Sequence, residues 1–304
     1  MSLSVKEILA IGKRQLEDSG VMDADIDSKT LYCFMTNIDR SKLILEYQNI
    51  LQDRLCDEYF ALLDRRCSGV PIQHILGYQE FMGFDFKVNE HVLIPRQDTE
   101  TLVEDAISVV TEGKLRGEEL TLPKLRDGEC LDLCCGSGAI GISMAKLCPN
   151  MKITCSDVSS EALAVAKENA QLNQVSKNIK IECGNMFEPF RGRLRNKRFE
   201  MIITNPPYIK SDVIPTLQRE VKDHEPMLAL DGGADGLDFY RLIIDEAPKH
   251  LKKGGVLMME IGHDQREECL GLLEESGHYS QCRGLKDLAG RDRIIFATVT
   301  EIKK

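Results

Sequence analysis

Hydrophobic positions follow three successive rhythms along the chain. From residue 1 to about 74 they recur at three- and four-residue spacing, the mark of amphipathic helices. Ser4 can cap a helix over Val5–Ser19 with Glu7 as its reciprocal partner, and Ile8, Leu9, Ile11 and Leu16 line the apolar side. Asp27 or Ser28 opens a second segment that runs to Thr36, and Arg40–Glu46 forms a short third. Leu51–Arg66 forms a longer helix with Leu55, Tyr59, Leu62 and Leu63 on one side, until Gly69, Val70 and Pro71 stop it. Between 75 and 94 the period falls to two: Phe81, Phe84, Phe86, Val88, Val92 and Ile94, with Gly83 and Asn89 as turn residues, predict a β-hairpin. From 95 onward apolar runs alternate with helical segments. Strands are expected at 129–134, 152–157, 179–183, 199–204, 255–261, 280–285 and 292–298, and helices at 98–111, 139–148, 159–173, 238–251 and 265–276. That alternation predicts an α/β domain, a mostly parallel sheet with helices on both faces. The domain order is therefore a helical module over 1–74, a hairpin linker over 75–94 and an α/β domain over 95–304.

Composition narrows the field. The chain has 304 residues, 42% of them hydrophobic, enough for real cores. No apolar run reaches the roughly 18 residues a bilayer demands, and the first residues lack a signal-peptide core, so no membrane association is expected and the location is expected to be cytoplasmic. Net charge is −10. Residues 1–88 hold 10 basic against 14 acidic residues and the remainder 29 against 35, so neither part is a basic module and direct nucleic-acid binding is not expected. The 11 cysteines form no C-x-x-C pair and the six histidines show no ligand spacing, so no metal site is expected; the cysteines read as reduced packing residues.

Two segments carry chemistry. The first expected α/β strand runs into Cys134, Cys135, Gly136, Ser137, Gly138, and residues 136–141 read G-x-G-x-x-G. Small residues let the backbone approach a ligand and aim N–H groups at it from a helix start. Nicotinamide, flavin and adenosylmethionine sites all use this device, so the turn alone does not choose among them. Asp157 ends the next strand, where a carboxylate can accept both hydroxyls of a ribose or cap the helix behind it. Asp132 sits within an apolar strand and must be paired there, beside a cofactor amino group or holding the glycine turn. The strand 199–204 delivers Asn205-Pro206-Pro207-Tyr208. Two prolines stiffen the backbone and remove two donors, leaving carbonyls and the Asn205 side-chain oxygen as acceptors beside an aromatic ring. Such a claw suits a planar NH2 group, with Asn205 and the Pro206 carbonyl each taking one N–H, Tyr208 stacking on the plane and the nitrogen aimed at a methyl donor about 3–3.5 Å away.

Asp132–Gly138, Asp157 and Asn205–Tyr208 together resemble the class I methyltransferases that modify planar nitrogens. More narrowly, the chain resembles the HemK/PrmC family of protein-(glutamine-N5) methyltransferases. The segments that carry this resemblance are Pro71–Gly77, Val92–Glu100, Glu225–Gly233, Asp235–Asp238, Glu260–Gln265 and Ala289–Arg293. It implies a seven-stranded, Rossmann-like, adenosylmethionine-dependent domain behind a small helical domain that helps recognise the substrate. The implied reaction transfers methyl from S-adenosyl-L-methionine, leaving S-adenosyl-L-homocysteine, to the glutamine of the Gly-Gly-Gln motif of class I peptide chain release factors. By match of position Cys134, Cys135, Gly136, Ser137, Gly138, Asp157, Asn185, Met186 and Asn205 would line the cofactor, and Asn205, Pro206, Pro207 and Tyr208 would hold the glutamine amide. The Arg96–Glu100 and Glu225–Ala229 loops would flank the site. The chain departs from the family pattern at Cys134, where a glycine is common, and at Met186, where an aromatic residue often covers the adenine; Gln97-Asp98 replaces a common Pro-Glu and His74 a common Tyr. A glutamine of a ribosomal protein and an adenine N6 are the alternative acceptors. A monomer is expected.

Overall fold

The computed structural model describes residues 3–122, 125, 127–192 and 194–300. By compactness the chain forms two units, Met1–Tyr78 with Leu217–His224, and Gln79–Thr216 with Glu225–Lys304.

The first unit is helical: α1 (Val5–Asp18), α2 (Ala24–Thr36), α3 (Leu43–Glu46), α4 (Asp53–Cys67) and α5 (Ile72–Leu76). Ser4 and Glu7 form a capping box at the start of α1. Val5, Ile8, Leu16, Leu31, Tyr59 and Leu63 are fully buried in its core. Gly12 lets α1 lie close to α4, since a Cβ there would come within 2.3 Å of the Tyr59 hydroxyl oxygen. α2 begins earlier than the helix signals suggest, with Asp23 as its N-cap. Asp27 and Ser28, which read as caps, are instead buried inside it: the Ser28 hydroxyl meets the Leu9 carbonyl and Tyr59, and Asp27 accepts from Arg66 Nε at 2.7 Å. Polar residues placed for tertiary hydrogen bonds are indistinguishable from caps in a one-dimensional pattern. Within this unit the short helix α9 (Arg219–Lys222) brings Glu220 to Arg66 Nη2 at 2.6 Å.

The second unit opens with a tight hairpin, β1 (Tyr78–Phe81) and β2 (Phe84–Lys87), whose turn has Met82 and Gly83 at positive φ. Pairing stops at Lys87, short of the expected 94; Val88 and Val92 are buried against Ala162 and Val165 rather than in a ladder. Helix α6 (Gln97–Glu112) follows, then a two-rung hairpin of β3 (Lys114–Leu115) and β4 (Glu118–Glu119), which the sequence pattern does not announce. The main sheet is built from β5 (Glu129–Leu133), β6 (Lys152–Asp157), β7 (Ile179–Cys183), β8 (Phe199–Thr204), β9 (Leu251–Glu260), β10 (Tyr279–Lys286) and β11 (Asp292–Val299), with α7 (Ala139–Leu147), α8 (Ser160–Leu172), α10 (Asp238–His250) and α11 (Arg266–Ser276) between them. Its order is β10-β11-β9-β8-β5-β6-β7. The five strands from β9 to β7 are parallel, and β11 runs antiparallel to both β9 and β10. This is a seven-stranded mixed sheet of Rossmann-like, doubly wound character.

Both faces of the sheet are covered, which is why its central strands are apolar on successive residues. Met201 and Ile203 face α6 and α7, while Ile202 faces α10. Among the described residues no helix is long and apolar enough to cross a membrane.

The buried Arg66–Asp27 pair of the first unit gives a stability test. Arg66→Met strands a buried carboxylate and is expected to cost about 3–5 kcal/mol. Urea unfolding should show a lower midpoint at unchanged slope, and adding Asp27→Leu should recover most of the loss.

Candidate functional site

Strand register assembles the site. Leu133 of β5 is paired with Ser156 of β6 on one side and Thr204 of β8 on the other, and Thr204 is paired with Met259 of β9. One residue further along each chain stand Asp157, Cys134, Asn205 and Glu260. Four groups distant in sequence thus leave the carboxyl edge of the sheet side by side, where open α/β sheets take their ligands. A cavity of about 750 Å³ opens there. It is lined by Cys134, Cys135, Gly136, Ser137, Asp157, Asn185, Met186, Asn205 and Pro207, all singled out by the sequence, and also by Val92, Arg96, Thr99, Leu228 and Phe239. Gly138, Pro206 and Tyr208 are not in its wall.

The glycine loop is held mainly from behind. Asp132 is fully buried, and its Oδ2 accepts the Gly141 N–H at 2.8 Å. The glycine at 141 is what permits the approach, because a Cβ there would lie 2.8 Å from both that oxygen and the Cys155 sulfur. Asp132 therefore holds the turn and is absent from the cavity wall. Its Oδ1 has no hydrogen-bond partner among the described residues, and burial pushes the carboxyl up to about 7. Gly138 caps α7 at φ 77° and is packed against Ile142 and Ala166, a structural position behind the loop. Asn169 of α8 ties the Ser137 carbonyl (2.9 Å) to the Lys87 backbone of the hairpin (2.7 and 3.0 Å).

On the open side, Gly136 has φ 52°, and a Cβ there would meet nothing within 4 Å. Its N–H donates to Asp157 Oδ2 at 2.9 Å, and Asp157 Oδ1 accepts from the Ser159 N–H at 3.0 Å. Ser159, not Asp157, caps α8, through its hydroxyl to the Ala162 N–H. Each Asp157 oxygen still has lone-pair capacity. Cys134 takes the left-handed conformation, φ 59°, that a glycine adopts without strain. Its sulfur turns to the Met186 sulfur at 3.7 Å, and burial keeps the thiol protonated by pushing it up. Met186 is itself at φ 52° and nearly buried in the wall.

The opposite wall holds Asn205. Its Nδ2 donates to Thr99 Oγ1 at 3.3 Å, and Thr99 Oγ1 donates to Glu260 Oε2 at 2.6 Å. Tyr208, just beyond the prolines, turns its hydroxyl toward Glu260 Oε1 at 3.3 Å. The Tyr208 carbonyl accepts from Gln265 Nε2 at 3.0 Å. Gly232 and Gly236 leave room for that backbone, for a Cβ at either would come within 2.7 Å of Tyr208 main-chain atoms. Glu225 accepts from the Ile94 N–H at 3.1 Å and from Arg96 Nη2 at 2.6 Å, joining the two loops at the cavity's rim. The sequence places Thr99 only within the 96–100 segment expected to flank the site and Glu260 only within a segment that carries the resemblance; their hydrogen-bonded roles, and that of Asn169, come from the fold.

The volume suits a drug-sized ligand, and the residues fit a donor of the S-adenosylmethionine kind. Asp157 offers a carboxylate for two hydroxyls, the loop offers open backbone at Gly136, and Met186 offers a soft apolar face for a flat ring.

Similarity to known proteins agrees with this chemistry. Residues 117–233 match the Methyltransferase small domain and residues 7–77 the PrmC N-terminal domain. The chain is 40% identical over 272 residues to the release factor glutamine methyltransferase of Clostridium acetobutylicum, spanning 89% of this chain and 90% of that protein. It is 35% identical over 292 residues to the protein of the same name from Geobacter sulfurreducens, spanning 96% of this chain and 95% of that one. It is likewise 35% identical over 295 residues to the one from Moorella thermoacetica, spanning 97% and 98%.

Asp132 supplies a pH test. An acid whose folded value lies above its unfolded one favours the fold at low pH and loses that contribution as pH rises through about 7. Asp132→Asn removes the dependence. Its stability relative to the unmodified protein should therefore improve between pH 5 and pH 8, by about 2 kcal/mol, read from paired urea midpoints. Gly141→Ala, in contrast, should lower both stability and donor affinity at every pH.

Proposed function

The chain belongs to the release factor glutamine methyltransferase family, and from that premise we propose that it methylates the N5 nitrogen of the Gly-Gly-Gln glutamine in class I peptide chain release factors, with S-adenosylmethionine as donor. The observation that carries the reading is the shared cavity: the glycine loop and Asp157 on one side and Asn205 with Pro207 on the other open onto the same space at the strand ends.

When bound, the donor supplies an activated methyl group on a sulfonium. Residues 134–137 and Asp157 would hold it, Asp157 accepting from its ribose hydroxyls and Met186 with Asn185 facing its adenine, while Gly138 supports the loop from behind. Asn205 Oδ1, at the cavity wall beside Pro207, accepts an N–H of the glutamine side chain. Stiffness at 206 and 207 keeps that acceptor in place, so positioning accounts for most of the rate. A carboxamide nitrogen is a weak nucleophile that needs no prior deprotonation. Tyr208 serves chiefly by bracing the claw, since its hydroxyl is engaged by Glu260. The helical unit docks the release factor; Met22, Ile44, Leu45 and Ile50 are exposed apolar residues on it that suit a protein surface.

The test offers radiolabelled methyl donor with a release factor, a ribosomal protein and RNA in separate reactions. Label is expected in the release factor, on glutamine. Label in RNA alone, or in the ribosomal protein alone, would refute the assignment. Asn205→Ala is expected to lower kcat by about 10²–10³-fold, the scale of losing one preorganised polar group, with donor affinity largely kept in calorimetry.

A further inference from the structure

A side-chain carboxamide is nearly symmetric in shape and opposite in polarity at its two ends. Asn205 can present an acceptor to the cavity only if something on its other side demands its NH2 group. That demand comes from Thr99. A threonine hydroxyl has one proton, and at 2.6 Å from Glu260 Oε2 that proton is committed to the carboxylate. Toward Asn205 the Thr99 oxygen therefore offers lone pairs alone and accepts from Nδ2 at 3.3 Å. Oδ1 is left facing the other way. Thr99 and Glu260 are buried, so the bond between them is largely shielded from solvent although Thr99 borders the cavity.

We propose that Glu260, acting through the Thr99 hydroxyl, fixes the polarity of the Asn205 carboxamide with Oδ1 toward the cavity, making Thr99 and Glu260 positioning residues for recognition of the substrate amide. The proposal rests on the reading above, in which Asn205 receives a substrate N–H. Reversing the Asn205 amide would set NH2 against NH2 and remove the acceptor from the claw. The same carboxylate also takes the Tyr208 hydroxyl on its second oxygen, so one buried group grips both ends of the 205–208 segment.

The relay has a protonation state. Glu260 faces Thr99 and Asp98 of α6, Arg293 of β11 and the Tyr208 hydroxyl, and its backbone carbonyl accepts from Tyr240 of α10. Burial and Asp98 push the carboxyl up, Arg293 and the two hydroxyls pull it down, and it stands at about 7. A proton on Oε2 would donate to Thr99, release the Thr99 proton toward Asn205 and favour the reversed amide. Turnover should thus fall as pH drops through about 7.

Thr99→Val keeps the shape and deletes the acceptor. It is expected to lower kcat 10- to 100-fold, the scale for residues that orient a contacting group, with the KM for the donor unchanged; Thr99→Ser should stay within about threefold of the unmodified enzyme, since the hydroxyl is what the role requires. In the substrate-free protein the Asn205 side-chain NH2 resonances, assigned by their loss in Asn205→Ala, should shift in Thr99→Val and hold in Thr99→Ser. In Glu260→Gln the acidic limb of the kcat–pH profile should disappear. A Thr99→Val enzyme with normal kcat and unmoved Asn205 resonances would overturn the proposal, as would an unchanged acidic limb in Glu260→Gln. Should the unmodified enzyme label no glutamine, the functional reading fails instead, and the resonances still decide the amide's orientation.

Discussion

Parallel pairing of β5 with β6 on one side and with β8 on the other is the constraint from which the site follows. The chain leaves β5 in one direction to build β6 and β7, then returns across the sheet to lay down β8 and β9. A crevice forms where the two directions part, because the crossovers diverge from the ends of neighbouring strands. Register does the rest. Since Leu133, Ser156, Thr204 and Met259 form one rung, the residues immediately after them arrive at the same edge together. A one-residue slip of β8 would exchange Asn205 for Thr204 at that edge and turn each side chain of the strand to the opposite face.

Local chemistry explains what was legible before any coordinates. The central strands carry buried residues on both faces, so 152–157 and 199–204 stand out as largely apolar runs, whereas 179–183 alternates because it lies at the sheet's edge; all three coincide with the strands observed. The glycine loop and the Asn-Pro-Pro-Tyr segment declare themselves because their residue types are poor choices for anything but a special backbone. What was illegible depends on partners remote in sequence. Asp27 and Ser28 look like helix starts because their buried partners, Arg66 and Tyr59, are more than 30 residues away. The second hairpin strand looks longer than it is because Val88 and Val92 are apolar for burial against α8, not for pairing. Pro206 and Tyr208 belong to a conspicuous motif, yet its side chains divide their duties: Asn205 and Pro207 face the cavity while Tyr208 faces Glu260.

Two buried carboxylates, Asp132 and Glu260, occupy comparable places on either side of the site, one on β5 and one on β9. Each costs desolvation energy that a hydrophobic replacement would avoid. Neither appears in the cavity wall. Asp132 is spent on a backbone N–H and so determines where α7 starts. Glu260 is spent on two hydroxyls and so determines how side chains on α6 and after β8 are turned. Charge is thus used at one remove, to shape the donor side through main chain and the acceptor side through side chains.

The bond between Asp132 and the Gly141 N–H leaves the exposed side of the loop with little structural duty. A turn secured from its concealed side tolerates drift on the surface that meets the ligand, and Cys134 illustrates it: a bulkier residue occupies a left-handed position, its sulfur parked against Met186, while the turn keeps its course. A change at Cys134 would therefore alter the cavity wall while leaving the turn anchored between Asp132 and Gly141.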